Sequence, residues 1–294
     1  MEIELLRKPF DDRVLEARMT SIDPRSLEER ARQLVDRVAR ECDENTLGSA
    51  TVAIYDTAWV SMVARDKQWI FPESFQYLLD SQSADGGWKS GSTLHDDFLS
   101  TLASLFAIVR HSRATYQNSH GNLPDLEIRA SKAKSYLEST MRLWELEEPL
   151  QVGFEILVPN ILSMLENEQI FFDFPGREPL EKLKKSKMKG FDPEIFYSMP
   201  NSLLHSLEGL VGRIAFDRLG HHKTFGSMMA SPASTAAYLI YSPIWDLESE
   251  QYLRSVVANG AGKGTGGVPS VFPIPIFEST WVRSHVYRCI HGRS

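Results

Sequence analysis

His205 is the residue of this chain best equipped for proton chemistry. It lies in Asn201-Ser-Leu-Leu-His-Ser-Leu-Glu-Gly209, where Leu203, Leu204, Leu207 and Leu210 recur at the spacing that buries one face of a helix. An imidazole among leucines is poorly hydrated, which favours its neutral form and leaves a lone pair able to take a proton. The same setting suits a core histidine whose ring nitrogens bond to backbone, so these residues alone leave both readings open. Two other groupings fall short of a site. Gly260-Ala-Gly-Lys-Gly-Thr265 looks like a phosphate loop, but Gly264 stands where a Ser or Thr must follow Lys263, and a helix rather than a strand precedes it. His95-Asp96-Asp97 offers metal-ligand types, but Asp96 is better read as a helix cap. There is no Gly-x-Ser-x-Gly elbow and no Cys/His metal spacing.

The elements that must position His205 read as helices. Ser26 and Glu29 form a capping box ahead of Leu27, Ala31, Leu34, Val35 and Val38, which predicts an amphipathic helix over 26–42. Asp56 is expected to cap a helix carrying Trp59, Val60 and Val63, and Pro72 suits the first turn of the next, which Asp85-Gly86-Gly87-Trp88 turns away from. Residues 96–111 place apolar side chains around most of the circumference, whereas 125–141 confine Leu126, Ala130, Ala133, Leu137 and Met141 to one stripe. Residues 150–166 are again richly apolar with Pro159 inside, 180–189 are basic, and 201–216 are apolar. Ser231-Pro232 starts a helix that runs through Tyr241, and 247–258 form another. No strand ladder is expected. The prediction is an all-α chain in which inner and outer helices alternate, as a double-layered α/α barrel requires; a bundle around one buried helix would give a similar pattern.

Composition narrows the function classes. With 294 residues and 42% hydrophobic side chains the chain can fill a real core, so disorder is not expected. A net charge of −7 with scattered Lys and Arg gives no footprint for nucleic acid. Cys42 and Cys289 cannot build a disulfide framework. The apolar run 156–165 is broken by Pro159, Asn160 and Ser163 and falls far short of the roughly 20 residues of a membrane span. The N-terminal residues resemble neither a signal core nor a transit peptide, so the expected location is cytoplasmic.

Several blocks together resemble the class II diterpene cyclases, the copalyl diphosphate synthase family. Leu204-His-Ser-Leu-Glu-Gly209, Ser231-Pro-Ala-Ser-Thr235 and Gly267-Val-Pro269 occur in that family's order. Ile54-Tyr-Asp-Thr-Ala-Trp-Val60 resembles the segment that opens the inserted domain of the plant and fungal enzymes. Residues 67–88, with Gln82 and Trp88, resemble the Gln-Trp repeat that ties helices together. The resemblance implies a γ-type α/α barrel over 49–277, flanked by β-domain pieces at 1–48 and 278–294. It implies geranylgeranyl diphosphate as the substrate of the whole enzyme, protonated by an acid in the β domain and deprotonated by a base in γ. In the family a histidine, with an asparagine after Val-Pro, holds that base or a water. His205 matches, and Ser270 occupies the asparagine's place. A hydroxyl is shorter than a carboxamide and donates one hydrogen bond rather than two, so a changed quenching position is expected.

The resemblance further implies Mg²⁺ held with the diphosphate near Glu145, Glu147 and Glu148, although a glutamate run at a helix boundary is also a common solvated face. Lys184 and Lys185 fall where the family holds basic residues near the diphosphate. Neither the Asp-x-Asp-Asp acid motif nor Asp-Asp-x-x-Asp occurs, and the chain stops at Ser294. The expectation is thus a γ-domain fragment or truncated product, missing its β and any α domain and inactive alone. The rival readings are a non-catalytic prenyl-diphosphate-binding or interaction module and, as an enzyme, an α/α-barrel glycoside hydrolase. The latter needs two carboxylates roughly 5 to 10 Å apart, and no pair stands out.

Overall fold

The computed structural model describes residues 29, 30, 32, 33, 51–90, 93–116, 122–142 and 153–274. Its backbone divides into two units, Met1–Gly48 with Ile274–Ser294, and Ser49–Pro273. Of the helix expected over 26–42, Glu29, Arg30, Arg32 and Gln33 are helical, and the rest lies outside the described residues.

Among its described residues, the unit Ser49–Pro273 is all-α apart from one antiparallel pair of two-residue strands, β1 (Ala64–Arg65) and β2 (Gln68–Trp69). Its helices are α1 (Ile54–Ser61), α2 (Pro72–Ser81), α3 (Leu94–Arg113), α4 (Leu123–Arg142), α5 (Phe154–Asn167), α6 (Arg177–Lys187), α7 (Pro193–Ser198), α8 (Pro232–Tyr241) and α9 (Leu247–Asn259). Two 3₁₀ segments, Ser202–Leu210 and Phe216–His222, separate α7 from α8.

The alternation of helix types becomes a ring within a ring. Helices α1, α3, α5 and α8 are buried over most of their surface, as their apolar circumference requires. They meet in a closed cycle in which α1 packs on α3, α3 on α5, α5 on the first 3₁₀ segment, that segment on α8, and α8 on α1. Each inner helix carries an outer partner: α2 on α1, α4 on α3, α6 on α5 and α9 on α8. The outer α4 buries only the stripe Leu126, Ala133, Leu137 and Met141. This closure distinguishes the barrel from a bundle, a choice that helical periodicity could not make. Trp59, Phe75, Trp88 and Phe154 are among the largest fully buried side chains. Removing one aromatic of this kind costs about 3 to 5 kcal/mol.

Gln82 and Trp88 tie the layers together. The Trp88 Nε1 donates to Leu78 O at 2.8 Å, and Gln82 Nε2 donates to Gly86 O at 3.0 Å and Arg129 O at 3.1 Å. The turn between them needs Gly86, whose φ of +94° lies in the left-handed region and whose hydrogen faces the backbone of Lys132 too closely for a Cβ.

Three local expectations are corrected. Asp56 does not cap its own helix; Ala53 occupies that position without a side-chain bond, and Asp56 lies buried inside the first turn. Asp96 is not a cap either. Thr93 is, accepting from Asp96 N at 3.1 Å and donating back to the Asp96 carboxylate at 3.0 Å. The stretch 201–216 is not an α-helix. Asn201 caps a 3₁₀ segment that is broken at Ser206 (φ −144°, ψ 44°) and ends at Leu210. Packing outweighs the leucine periodicity here, because Gly209 presses so close to Ile156 of α5 that an added Cβ would meet its side chain at 2.9 Å.

Candidate functional site

His205 sits on the inner ring, on the 3₁₀ segment between α5 and α8. Its ring is half-buried, and its Nδ1 is enclosed without a hydrogen-bond partner. Burial pushes its pKa below the ordinary 6.5. A ring kept neutral, with an unengaged nitrogen, is chemically a proton acceptor, whereas an ordinary core histidine would have its nitrogens satisfied by backbone.

Three consecutive residues of α1 hold the three sequence blocks around this position. Tyr55 donates from its hydroxyl to Glu208 Oε1 at 3.0 Å and so binds the His205 segment. Asp56 Oδ1 accepts from Ala233 N at 3.1 Å and so caps α8 from outside, beside that helix's own cap, Ser231. Thr57 Oγ1 accepts from Val268 N at 3.0 Å, and Ala53 N donates to Val268 O at 2.8 Å, which pins the Gly-Val-Pro segment. Ser74 of α2 adds a bond to Gly266 O at 2.8 Å.

Glu208 and Asp56 are buried acids at the centre of this arrangement, 2% and 5% exposed. The second Glu208 oxygen accepts from Ser234 Oγ at 2.9 Å, and its backbone carbonyl accepts from Asn160 Nδ2 of α5 at 2.8 Å. Burial raises the Glu208 pKa to about 7. Burial and the neighbouring Glu208 charge raise Asp56 to about 8. Sequence reasoning took Asp56 only as a helix cap and assigned no role to Glu208, Tyr55, Asn160 or Ser234. The available signal was a charged or amide side chain inside an otherwise apolar run, as at Glu208 among leucines and Asn160 within α5. Both acids hold their protons above the usual carboxylate range, yet both are enclosed and bonded to protein donors, so neither is a proton donor exposed to a ligand.

Of the other expected residues, Ser270, Lys184 and Lys185 are described. Ser270 is exposed in the loop after α9, and among the described residues no hydrogen bond joins it to His205. Lys184 is buried against the barrel while Lys185, next on α6, faces out. Burial lowers the Lys184 pKa; Glu181 opposes the shift and Arg213 adds to it. Lys184 has no ion pair among the described residues. Glu145, Glu147 and Glu148 lie outside the described residues. Among the described residues no three His, Cys, Asp or Glu side chains converge, so they offer a divalent cation no cage. His95 packs edge-on against Phe154, and Asp97 accepts from Ser90, which accounts for that trio structurally. No described helix is long and apolar enough to cross a membrane. A separate open cleft is lined by Lys223, Phe225, Glu248 and Tyr252, but the Lys223 charge is already met by Asp246 and Glu248.

The chain is 44% identical over 266 residues to a copalyl diphosphate synthase of Talaromyces verruculosus, covering 88% of this chain and 28% of that protein. It is 41% identical over 274 residues to a pimaradiene synthase of Emericella nidulans, covering 92% and 28%. It is 42% identical over 261 residues to a bifunctional ent-kaurene synthase of Gibberella fujikuroi, covering 86% and 27%. The chain therefore spans a little over a quarter of the length of the curated relatives it matches. No family model matches it. Among solved structures, ent-copalyl diphosphate synthase of Arabidopsis thaliana superposes with a TM-score of 0.66 at 26% identity, covering 88% of this chain and 38% of that one. Abietadiene synthase of Abies grandis gives 0.67 at 24% identity, covering 90% and 35%. In sequence this chain resembles one part of the fungal diterpene synthases, and its helical barrel matches that of plant class II diterpene cyclases.

Proposed function

We propose that this chain supplies the proton-accepting wall of a diterpene cyclase that closes geranylgeranyl diphosphate into a copalyl-type bicyclic diphosphate. The observation that carries the reading is His205, a half-buried imidazole on the inner ring whose Nδ1 has no partner and whose pKa lies below the usual value. A base that ends a carbocation cascade must be neutral when the cation arrives and must not have spent its lone pair on a protein donor. The relatives named above are diterpene synthases, and the Arabidopsis structure holds an aza-geranylgeranyl thiolodiphosphate, which supports the substrate class.

In this reading residues 49–277 form the γ domain and the segments 1–48 and 278–294 belong to a β domain whose acid starts the reaction. Ser270 lines the approach to His205 and helps to place a quenching water. Lys184, a buried cation with no ion pair among the described residues, contacts the diphosphate with Lys185 at the rim. Glu145, Glu147 and Glu148 contact the Mg²⁺ that accompanies it. Alone, the chain forms no product, because the Asp-x-Asp-Asp acid is missing from it and the two barrel carboxyls that hold their protons, Asp56 and Glu208, are enclosed. Incubating the purified chain with geranylgeranyl diphosphate and Mg²⁺ tests the last point, and any bicyclic diphosphate formed would refute it. For the base, the decisive comparison is the product of a full-length enzyme carrying this sequence with that of its His205→Ala and Ser270→Asn variants. An unchanged product in both removes the reading.

The same lysine favours a second reading, a module that binds prenyl diphosphate without turning it over. Sub-micromolar binding of a non-hydrolysable prenyl diphosphate to the isolated chain, lost in Lys184→Ala, distinguishes it.

A further inference from the structure

His205 presents a mechanical problem. Its Nδ1 meets no hydrogen-bond partner outside its own backbone, so no neighbouring element orients the ring there, and the residue that follows it, Ser206, leaves helical geometry altogether. A ring on an irregular turn is held only as firmly as the backbone that carries it. That backbone is braced within three residues, from three inner helices at once. Leu207 N donates to Ser234 Oγ of α8 at 3.0 Å. Ser234 Oγ donates in turn to Glu208 Oε2 at 2.9 Å, and Tyr55 of α1 donates to Glu208 Oε1 at 3.0 Å. Asn160 of α5 donates to Glu208 O at 2.8 Å, and Gly209 closes onto Ile156 and Leu157 of the same helix. The Glu208 side chain takes bonds from both α1 and α8, and its carbonyl takes the bond from α5.

We propose that Glu208 is a positioning residue for His205: with Tyr55, Ser234 and Asn160 it locks the turn at Ser206 and thereby sets the direction and dryness of the imidazole. The proposal deepens the reading of His205 as the base and rests on it. It also accounts for an acid that has no ion pair among the described residues. A buried carboxyl is tolerated when both oxygens find donors, and here the donors belong to two neighbouring helices of the inner ring. A hydrophobic side chain of similar size would fill the space but leave the Tyr55 and Ser234 hydroxyls without this partner. Gln keeps the shape and one carbonyl oxygen, and its amide can donate to a hydroxyl that turns its own hydrogen away.

The test reads the ring rather than turnover. The His205 imidazole is titrated by NMR in the purified 294-residue chain, with folding followed by thermal unfolding and circular dichroism. In the wild-type chain the midpoint is expected below 6.5. Glu208→Ala should move it up by about half a pH unit or more as the turn loosens and water reaches the ring, Tyr55→Phe by less in the same direction, and Glu208→Gln should restore the wild-type midpoint. Trp88→Phe, which weakens the barrel elsewhere, should leave the midpoint where it is, which separates positioning from general destabilisation. A folded Glu208→Ala chain with an unmoved His205 midpoint overturns the proposal. If Glu208→Ala does not fold, Tyr55→Phe and Ser234→Ala decide in its place, and unmoved midpoints in both overturn it equally. Because the readout needs no substrate, it fails separately from the base reading. A Glu208-dependent midpoint together with an unchanged product from full-length His205→Ala would keep the positioning and discard the base.

Discussion

A neutral imidazole accepts a proton only while it remains neutral, so the depressed pKa of His205 fixes the direction of its pH dependence. Burial lowers the value below 6.5, and the midpoint of protonation therefore lies on the acid side of that point. In a full-length enzyme carrying this sequence, the limb of the pH–rate profile that depends on His205 should fall away below pH 6.5, and an inflection above 6.5 would contradict the assignment. Ser270 makes a different prediction. The shorter hydroxyl leaves more room than a carboxamide, so Ser270→Asn should alter the ratio of alkene to hydroxylated product while leaving substrate affinity within about twofold. Product profiling by mass spectrometry checks it.

Among the elements, the turn between α2 and α3 and the loop after α9 are the most exacting. Trp88 Nε1 bonds the last turn of α2 from within the core, and Trp88→Phe would leave a buried carbonyl without its donor. An equilibrium urea titration should show a loss of about 1 to 3 kcal/mol. Gly266 has a φ of +99°, and any Cβ would run into the backbone of Glu73. Gly266→Ala should cost at least about 2 kcal/mol, combining left-handed strain with displacement of the segment bonded to Ser74 and Thr57. A midpoint unchanged from wild type would show that this loop is free to move away from α2. The short motif of α1 earns its order from the same geometry. Tyr55, Asp56 and Thr57 point to three different segments because successive helical residues are turned by about 100°.

For the barrel as a whole, two buried acids set how stability varies with pH. Glu208 rises from 4.5 to about 7 and Asp56 from 3.8 to about 8, so the folded state holds these protons more tightly than the unfolded chain does. Their contribution is complete below the unfolded values near 4 and is lost as pH rises through 7 and 8. At about 1.4 kcal/mol per unit, the Glu208 shift alone is on the order of 3 kcal/mol. Tyr55, Tyr252 and the partner acid are the ionisable groups facing this pair, and their raised pKa values keep the tyrosines neutral over the range. Urea midpoints should fall between pH 5 and pH 9, and both Asp56→Asn and Glu208→Gln should flatten the decline. An equal decline in all three proteins would mean that the cluster is hydrated rather than dry.

What could be read from the residues alone was periodic or categorical. Apolar circumference on 96–111 against a single stripe on 125–141 separated inner from outer helices, because burial selects side chains along the whole element. The ordered blocks around His205 pointed to a cyclase barrel, and the missing Asp-x-Asp-Asp motif was plain from the letters. Tertiary structure decided what rests on one distance or one angle. The leucines at 203, 204, 207 and 210 promised a helix, but the close approach of Gly209 to α5 and the bonds onto Glu208 hold the segment as a broken 3₁₀ turn. Asp56 carries the residue type of a helix cap, yet the helix it caps lies 177 positions away in the chain. Whether a buried carboxyl is neutral, which of two adjacent lysines turns inward, and how the inner helices close into a ring depend on neighbours that the chain brings together only on folding.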